Sequence, residues 1–477
     1  MNKLQREVFE EFEQYGQEQV FRFWSELNDD ERLSLCRQAR RIDIGRLTEI
    51  VHTLLKKEKN QEEIFYQGAP FAPADYISLP LDETSRCRWE DAYNLGEQIL
   101  SEGRVAVFTA AGGQGTRLGF EGPKGTFAVT PVKGKSLFQL FAEKIRFAEK
   151  RYGNSIHWFI MTSDRNHNEI IEFFGKNGSF GLSNVHFIKQ GSLAAVTVDG
   201  KIMLEDKWHI AMHPDGHGGA FRAFVASGAN TMLEVQGVDV VSYFQVDNPL
   251  VPAIDPYFIG FHRKNRSQMS SRMILKNYPE EKVGVFCSAY GHSTVVEYSD
   301  LPIERAIKRN CGGTLCFKTG NAGIHLFERD FFSLMGTEKN EHQLPLHAAK
   351  KRIPTIDVNG NPVDPELPNG IKFETFIFDA LEFAEYSIIV EGNRKEIFSP
   401  VKNSVGLDSP ETCRQDQVRL FSKWLVAAGS DMPIDAKGLP PFNIEISPLF
   451  ADNERDFLIK WNRLEKHPAI SSGSYIE

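Results

Sequence analysis

Residues 104–119, RVAVFTAAGGQGTRLG, followed closely by Gly122-Pro-Lys-Gly125, decide how this chain is read. Residues 104–110 are a short apolar, β-branched run, the pattern of a strand buried in a parallel sheet. The run passes directly into glycines. Ser136-Leu-Phe-Gln139 resembles a capping box for a helix carrying Leu137, Phe141, Ile145 and Ala148. IHWFIM (156–161), VHFIK (185–189) and VVSYFQV (240–246) read as further strands, with helical stretches between most of them. Strand–helix alternation predicts a doubly wound α/β sheet covered on both faces.

Upstream, the first ~60 residues read as helices. Leu4, Val8, Phe12 and Tyr15 recur at helical spacing, as do Val20, Phe23, Trp24 and Leu27. Asn28-Asp29-Asp30 can cap a helix carrying Leu33, Cys36 and Ala39, and another carries Ile44, Leu47, Val51, Leu54 and Leu55. The run KKEKNQEE from Lys56 reads as a solvated helix end, and residues 68–80 as a connector. Beyond residue 390, turns and prolines (Pro400, Pro410, Pro440, Pro441) surround one helix at 415–428. The expected division is a helical region 1–100, a central domain 101–390 and a small mixed C-terminal domain 391–477.

The 477 residues are ample for a large core. Hydrophobic residues at 41% and charged residues at 25% exclude a disordered chain. Lys+Arg at 55 against Asp+Glu at 64 leaves a net charge of −9, the wrong sign for a nucleic-acid binder. No apolar run approaches the ~18 residues of a membrane span. The acidic, amphipathic N-terminus lacks an apolar signal segment. Cys36, Cys87, Cys287, Cys311, Cys316 and Cys413 form no C-x-x-C pair, so reduced thiols in a cytoplasmic protein are expected.

Ligands in open α/β sheets bind at the carboxyl ends of strands, where this loop lies. Gly112, Gly113 and Gly115 permit positive φ and close approach of backbone N–H groups to phosphate oxygens. Arg117 and Lys124 add cations suited to a polyphosphate. A Walker A loop ending in Gly134-Lys135-Ser136 fails, because its first glycine would be Val129. The dinucleotide fingerprint also fails, because Leu118 holds its third glycine position. A looser glycine pattern ending at Gly119 leaves a nicotinamide-linked oxidoreductase as a remote alternative. The plainer reading is a tight strand–helix turn with incidental charges, yet so many glycines and cations exceed what a turn needs.

GGQGTRLG followed by PKG resembles the nucleotide-binding signature of the UDP-sugar pyrophosphorylases, and most closely that of the eukaryotic-type UDP-N-acetylglucosamine pyrophosphorylases. FRFWSEL, WFIMTS, MHPDGHGGAFRA, VDNPLV, DPYFIGF, VVEYSD, PNGIKFE and EISPL resemble that family in order, over roughly residues 20 to 450. The resemblance implies a Rossmann-like, mixed but mostly parallel nucleotidyltransferase core. It also implies transfer of uridylyl from UTP to N-acetylglucosamine 1-phosphate, with release of pyrophosphate.

By the same resemblance, Ala110, Ala111, Gly112 and Gly113 hold the nucleotide, and Arg117 and Lys124 contact its phosphates as catalytic groups. Gln190 meets the uracil edge, and Gly216 and Lys372 approach the nucleotide. Asp247, ending a strand, suits Mg²⁺ (or Mn²⁺), a hard cation that bridges phosphates. His217, Glu297, Tyr298, Asn321, Phe376 and Phe378 face the sugar, and Lys402, also catalytic, its phosphate. The family pattern has Asn where this chain has His217.

Each position also has a bland reading. Gln190 and the lysines suit solvent, Gly216 a helix-entry turn, Asp247 a strand-end cap, Glu297 a solvated strand, and the phenylalanines ordinary core. The expected partners are UTP and a sugar 1-phosphate, without nucleic acid or membrane, in a monomer or weak homo-oligomer. A glucose-specific or broad UDP-sugar pyrophosphorylase is the alternative, and a non-catalytic nucleotide-sugar sensor a remote one.

Overall fold

Helix α1 (Lys3–Gln14) buries Val8 and Phe12. Asn28 caps α2 (Asp29–Ala39), accepting the Glu31 N–H while Glu31 returns a bond to the Asn28 N–H. Helix α3 spans Ile44–Asn60. The structure, a computed structural model, describes residues 3–60, 71–337 and 343–477. Two expected features differ or fall outside. The periodic residues at 20–27 form two 3₁₀ turns, Glu18–Phe21 and Trp24–Glu26, instead of a helix. The side chains of the expected solvated end at 56–63 and the first residues of the connector at 68–80 lie outside the described residues.

The chain divides into two compact units. One comprises Met1–Ala69, Gln190–Gly219 and Gln343–Asp379. Its core packs Phe12, Phe21 and Leu35 from the helices with Ile210 and with Val196 and Phe373 from short strands. Ser192–Ala194 pairs antiparallel with Met212–Pro214, and His347–Lys351 with Gly370–Glu374, which also meets Val196–Thr197.

The second unit comprises Pro70–Lys189, Ala220–His342 and Ala380–Glu477. Among the described residues it carries a ten-stranded mixed sheet. Its strands are β1 (Phe71–Pro73), β2 (Val105–Ala110), β3 (Trp158–Thr162), β4 (Val185–Lys189), β5 (Val240–Gln245), β6 (Met269–Leu275), β7 (Val285–Ala289), β8 (His292–Val296), β9 (Thr319–Glu328) and β10 (Ser387–Glu391). The order is β1-β7-β9-β5-β2-β3-β4, with β8 on β7 and β6 joining β9 to β10. The segment β5-β2-β3-β4 is parallel, as is β6–β10. The other pairings are antiparallel. Within the expected connector, β1 is therefore an edge strand.

Burial of the apolar run drives β2 into the centre, and its one polar side chain is satisfied there: Thr109 Oγ1 accepts from the Trp158 indole at 2.8 Å. Helices α4 (Glu83–Ser101), α5 (Leu137–Tyr152), α6 (His167–Lys176) and α7 (Pro256–Lys264) belong to this unit. Ser136 caps α5 as expected, but the Gln139 amide turns to Glu143 at 3.0 Å, so only half the expected box forms. Toward the C-terminus, α8 (Pro410–Ala427) and α9 (Glu454–Trp461) share a core around Trp424, Phe457 and Trp461. There Ile444–Ile446 pairs parallel with Ser474–Ile476.

Candidate active site

The loop after β2 is built by its own backbone. The Gly115 N–H donates to Gly122 at 2.9 Å, Phe120 to Gly115 at 3.2 Å, and Lys124 to Gly113 at 3.1 Å. Two side chains from the β3–α6 connection hold it from beneath. Ser163 Oγ donates to the Gly112 carbonyl at 2.9 Å, and buried Asn166 donates to the Ala111 carbonyl at 3.0 Å. In a trans peptide the next N–H points opposite to the carbonyl, so these bonds turn the N–H groups of Gly112 and Gly113 away from the protein's grip. Neither Ser163 nor Asn166 was among the sequence candidates, although Ser163 lies in the matched WFIMTS stretch.

The expected positive φ is not at Gly112, Gly113 or Gly115 but at Gly119 (69°) and Gly122 (136°). Gly115 is needed for a different reason: a Cβ there would lie 2.6 Å from the Phe120 ring. At Gly113 a Cβ would meet no protein atom within 4 Å.

Arg117 is exposed on the 3₁₀ turn Thr116–Leu118, which Leu118 anchors in the core. Lys124 turns inward, with Nζ 3.7 Å from Asp247 Oδ2 and both side chains largely buried. Asp247, just past β5, takes the Val401 N–H on its carbonyl at 2.8 Å. Next to it, Asn248 accepts the Ser399 N–H at 3.0 Å and donates to the Ile397 carbonyl at 2.7 Å. This clasp ties the backbone leading to Lys402 beside Asp247. Lys402 Nζ stands 5.7 Å from the centre of the Phe398 ring. Burial raises the carboxyl of nearby Asp408 above its ordinary range, against the opposing pull of Lys402.

Glu297 follows β8, and Asn321 lies on β9. Gly284 joins them: its carbonyl accepts the Asn321 N–H at 2.8 Å, and a Cβ on it would lie 3.0 Å from Glu297 Oε1. Asn321 Oδ1 accepts the Gly323 N–H at 2.9 Å, at the register shift in β9. Tyr298 is exposed.

The remaining candidates fall in the first unit. Buried Gln190 donates to Asp215 at 3.3 Å. Gly216 has φ 85°, and a Cβ there would lie 2.4 Å from the Thr375 carbonyl. That carbonyl accepts the Gly218 N–H at 2.8 Å, so this glycine turn is shaped by the protein's own backbone. His217 Nδ1 accepts the Ile377 N–H at 3.0 Å, which leaves the ring proton on Nε2. Its ring stacks on Phe376 (5.3 Å, 23°), which also stacks on His347 (4.3 Å, 27°). His347 in turn reaches Asp379 Oδ2 at 2.8 Å. Burial first, then the nearby His347 charge, pushes the His217 pKa down to about 4. Phe378 is buried 5.2 Å from Phe376, and Lys372 lies half-buried on strand Gly370–Glu374, opposite Ala349. His347 and Asp379 carried no sequence signal.

All six cysteines are free thiols. Among the described residues no three His, Cys, Asp or Glu side chains group to hold a metal, and no helix is long and apolar enough to cross a membrane.

A mixed sheet with a glycine-rich loop at the end of a central parallel strand, and a lysine beside a strand-end carboxylate, suits a protein that binds nucleotide phosphates. The chain belongs to the UTP–glucose-1-phosphate uridylyltransferase family, whose pattern matches residues 48–409. It is 36% identical over 465 residues to UDP-N-acetylhexosamine pyrophosphorylase-like protein 1 of Xenopus tropicalis, covering 92% of this chain and 90% of the relative. It is 35% identical over 471 residues to UDP-N-acetylglucosamine diphosphorylase 2 of Arabidopsis thaliana, covering 93% and 89%. The uridine diphosphate N-acetylglucosamine pyrophosphorylase of Trypanosoma brucei, solved with an inhibitor, superposes with a TM-score of 0.80 at 26% identity, covering 100% of this chain and 99% of that one.

Proposed function

We propose that this enzyme transfers uridylyl from UTP to N-acetylglucosamine 1-phosphate, forming UDP-N-acetylglucosamine and pyrophosphate. Family membership and the activities for which the relatives are named support the reaction. The observation that carries it is the Lys124–Asp247 contact at the mouth of the loop, with the Lys402 backbone clasped beside it.

A sugar phosphate oxygen attacks the α-phosphorus of UTP in line. The new O–P bond forms as the bond to pyrophosphate breaks, so no protein nucleophile is required. Two polyanions must meet, and positioning with cationic stabilisation supplies most of the catalysis. In this reading the N–H groups of Gly112 and Gly113 hold the nucleotide behind Ala110 and Ala111. Arg117 and Lys124 stabilise its phosphates, Lys402 the sugar phosphate, and Lys372 the nucleotide. Gln190 pairs with the uracil edge and Gly216 lies near the nucleotide. Glu297, Tyr298, Asn321 and the Phe376–Phe378 pair serve the sugar. His217, neutral with its proton on Nε2, offers a donor to a sugar oxygen. Asp247 is a carboxylate beside a lysine, and its hard oxygens would hold Mg²⁺ (or Mn²⁺). The cation would neutralise phosphate charge when bound.

The six free thiols support a cytoplasmic setting; a monomer or weak homo-oligomer belongs to the same proposal. The division at about residues 100 and 390 stands as a proposal about roles along the chain. The family description names glucose 1-phosphate, which keeps a glucose-using enzyme as the second reading. Pyrophosphate release measured with paired sugar 1-phosphates tests both. Higher kcat/KM with N-acetylglucosamine 1-phosphate is expected. Preference for glucose 1-phosphate overturns the sugar assignment, and no release with either sugar overturns the activity.

A further inference from the structure

The rings around His217 are tied to a carboxylate–histidine pair that the proposed reaction leaves without a role. The Asp379 side chain is 3% exposed, and its Oδ2 lies 2.8 Å from His347 Nε2. A carboxylate only accepts, so the His347 proton sits on Nε2. Burying a carboxylate is costly unless it is paired and hydrogen-bonded. An apolar pair would fill the same space at lower cost, so what the pair gains is geometry. Glu374, opposite His347 in the ladder, is exposed instead.

That geometry is the turn 376–379. The Phe376 carbonyl accepts the Asp379 N–H at 3.2 Å, and within the turn the Ile377 N–H donates to His217 Nδ1 at 3.0 Å. His347 grips both ends of the turn. Its ring stacks on Phe376, and its Nε2 holds Asp379. The strand His347–Lys351 is itself fixed by its ladder to Gly370–Glu374. His217, His347 and the turn all belong to the first unit.

The consequence falls on His217. With Nδ1 engaged by Ile377, its ring has one polar group left, the Nε2–H, which can only donate. Burial, and then the nearby His347 charge, keep the ring neutral, so Nδ1 remains an acceptor. An asparagine, which the family pattern has at this position, would offer both a donor and an acceptor from one amide. A neutral imidazole fixed in this way accepts nothing, so its complement is an oxygen with a free lone pair.

We propose that His347 and Asp379 are positioning residues for sugar recognition, holding the His217 ring so that its Nε2–H donates to a hydroxyl or acetamido carbonyl oxygen of the sugar 1-phosphate. The sugar contact rests on the uridylyl transfer proposed above; the fixed ring does not.

The test combines kinetics with a view of the ring. In the full chain, His347→Ala and Asp379→Ala should each raise KM for N-acetylglucosamine 1-phosphate by about fivefold or more, with KM for UTP within about twofold of wild type. Asp379→Asn keeps an acceptor for His347 Nε2 and should restore the sugar KM to within about twofold of wild type. His347→Phe keeps the stack without the hydrogen bond; it replaces any alanine variant that fails to fold and should show the same split. Nitrogen-15 NMR of histidine-labelled enzyme reads the ring itself, with His217→Asn assigning its signals. The wild type should show His217 as one tautomer with a bare Nδ1, and His347→Ala should average the two ring nitrogens. An unchanged sugar KM in the folded variants, an equal rise in both KM values, or an unaltered His217 tautomer overturns the positioning role. Failure of the wild type to turn over contradicts the proposed reaction instead, and the His217 spectrum still judges the fixed ring.

Discussion

Arg117 stands in solvent on its 3₁₀ turn, whereas Lys124 is largely buried against Asp247, so the two cations answer to different tests. Arg117→Ala should lower kcat by roughly 10²-fold if the guanidinium acts mainly in the transition state, with little loss of stability. Unchanged turnover in steady-state assays would place Arg117 outside the chemistry. His217 predicts a pH effect. Its pKa falls from 6.5 to about 4 on folding, so the unfolded chain binds the extra proton between those values. The stability it contributes is complete above about pH 6.5 and is lost as pH falls toward 4. Thermal unfolding of the wild type should weaken over that window, and His217→Asn should flatten the dependence; an equally steep loss in the variant would assign the effect elsewhere. At this scale the sequence displayed the loop cations and Asp247, because residue type and spacing carry their chemistry. It did not display Asn166 or His347, whose roles come from neighbours brought close only by folding.

The crossing of α4 and α7 depends on two glycines. A Cβ at Gly96 would lie 1.9 Å from the Pro256 carbonyl, and one at Gly260 1.7 Å from the Ala92 carbonyl. In an exposed helix Gly→Ala gains about 1 kcal/mol. Here the clash with backbone wins, and Gly96→Ala or Gly260→Ala should cost about 1–3 kcal/mol in denaturant unfolding. A stabilised variant would contradict this packing. Asn166→Ala should orphan the Ala111 carbonyl, cost about 1–3 kcal/mol and raise KM for UTP; an unchanged KM would show that the loop holds its shape unaided. Elements built on continuous apolar runs, β2 to β5 above all, were legible. Strand β6, MSSRMIL, was not: Ser270, Ser271 and Arg272 are buried on it, each with a partner outside the strand, His262, His325 and Asp255. The start of α8 was read late, because Pro410 looked like a break, whereas proline fits the first turn after the Ser409 cap. Residues 20–27 show apolar spacing too brief to sustain an α-helix.

For the molecule as a whole, alternation of strands and helices announced an α/β sheet, and the antiparallel strands after residue 268 went unread. The grouping of Gln190–Gly219 and Gln343–Asp379 with the N-terminal helices also left no local mark, since it joins segments far apart along the chain. Composition pointed away from the disordered class, while the family resemblance supplied the reaction. The proposed reaction requires one placement: UTP phosphates against the loop from Ala110 to Lys124, beside Asp247. A crystal structure of the chain with UTP and Mg²⁺ tests it most directly. Density for the triphosphate on the Gly112 and Gly113 amides, within reach of Lys124, is the predicted result; a uridine nucleotide bound elsewhere, with that loop empty, would contradict it.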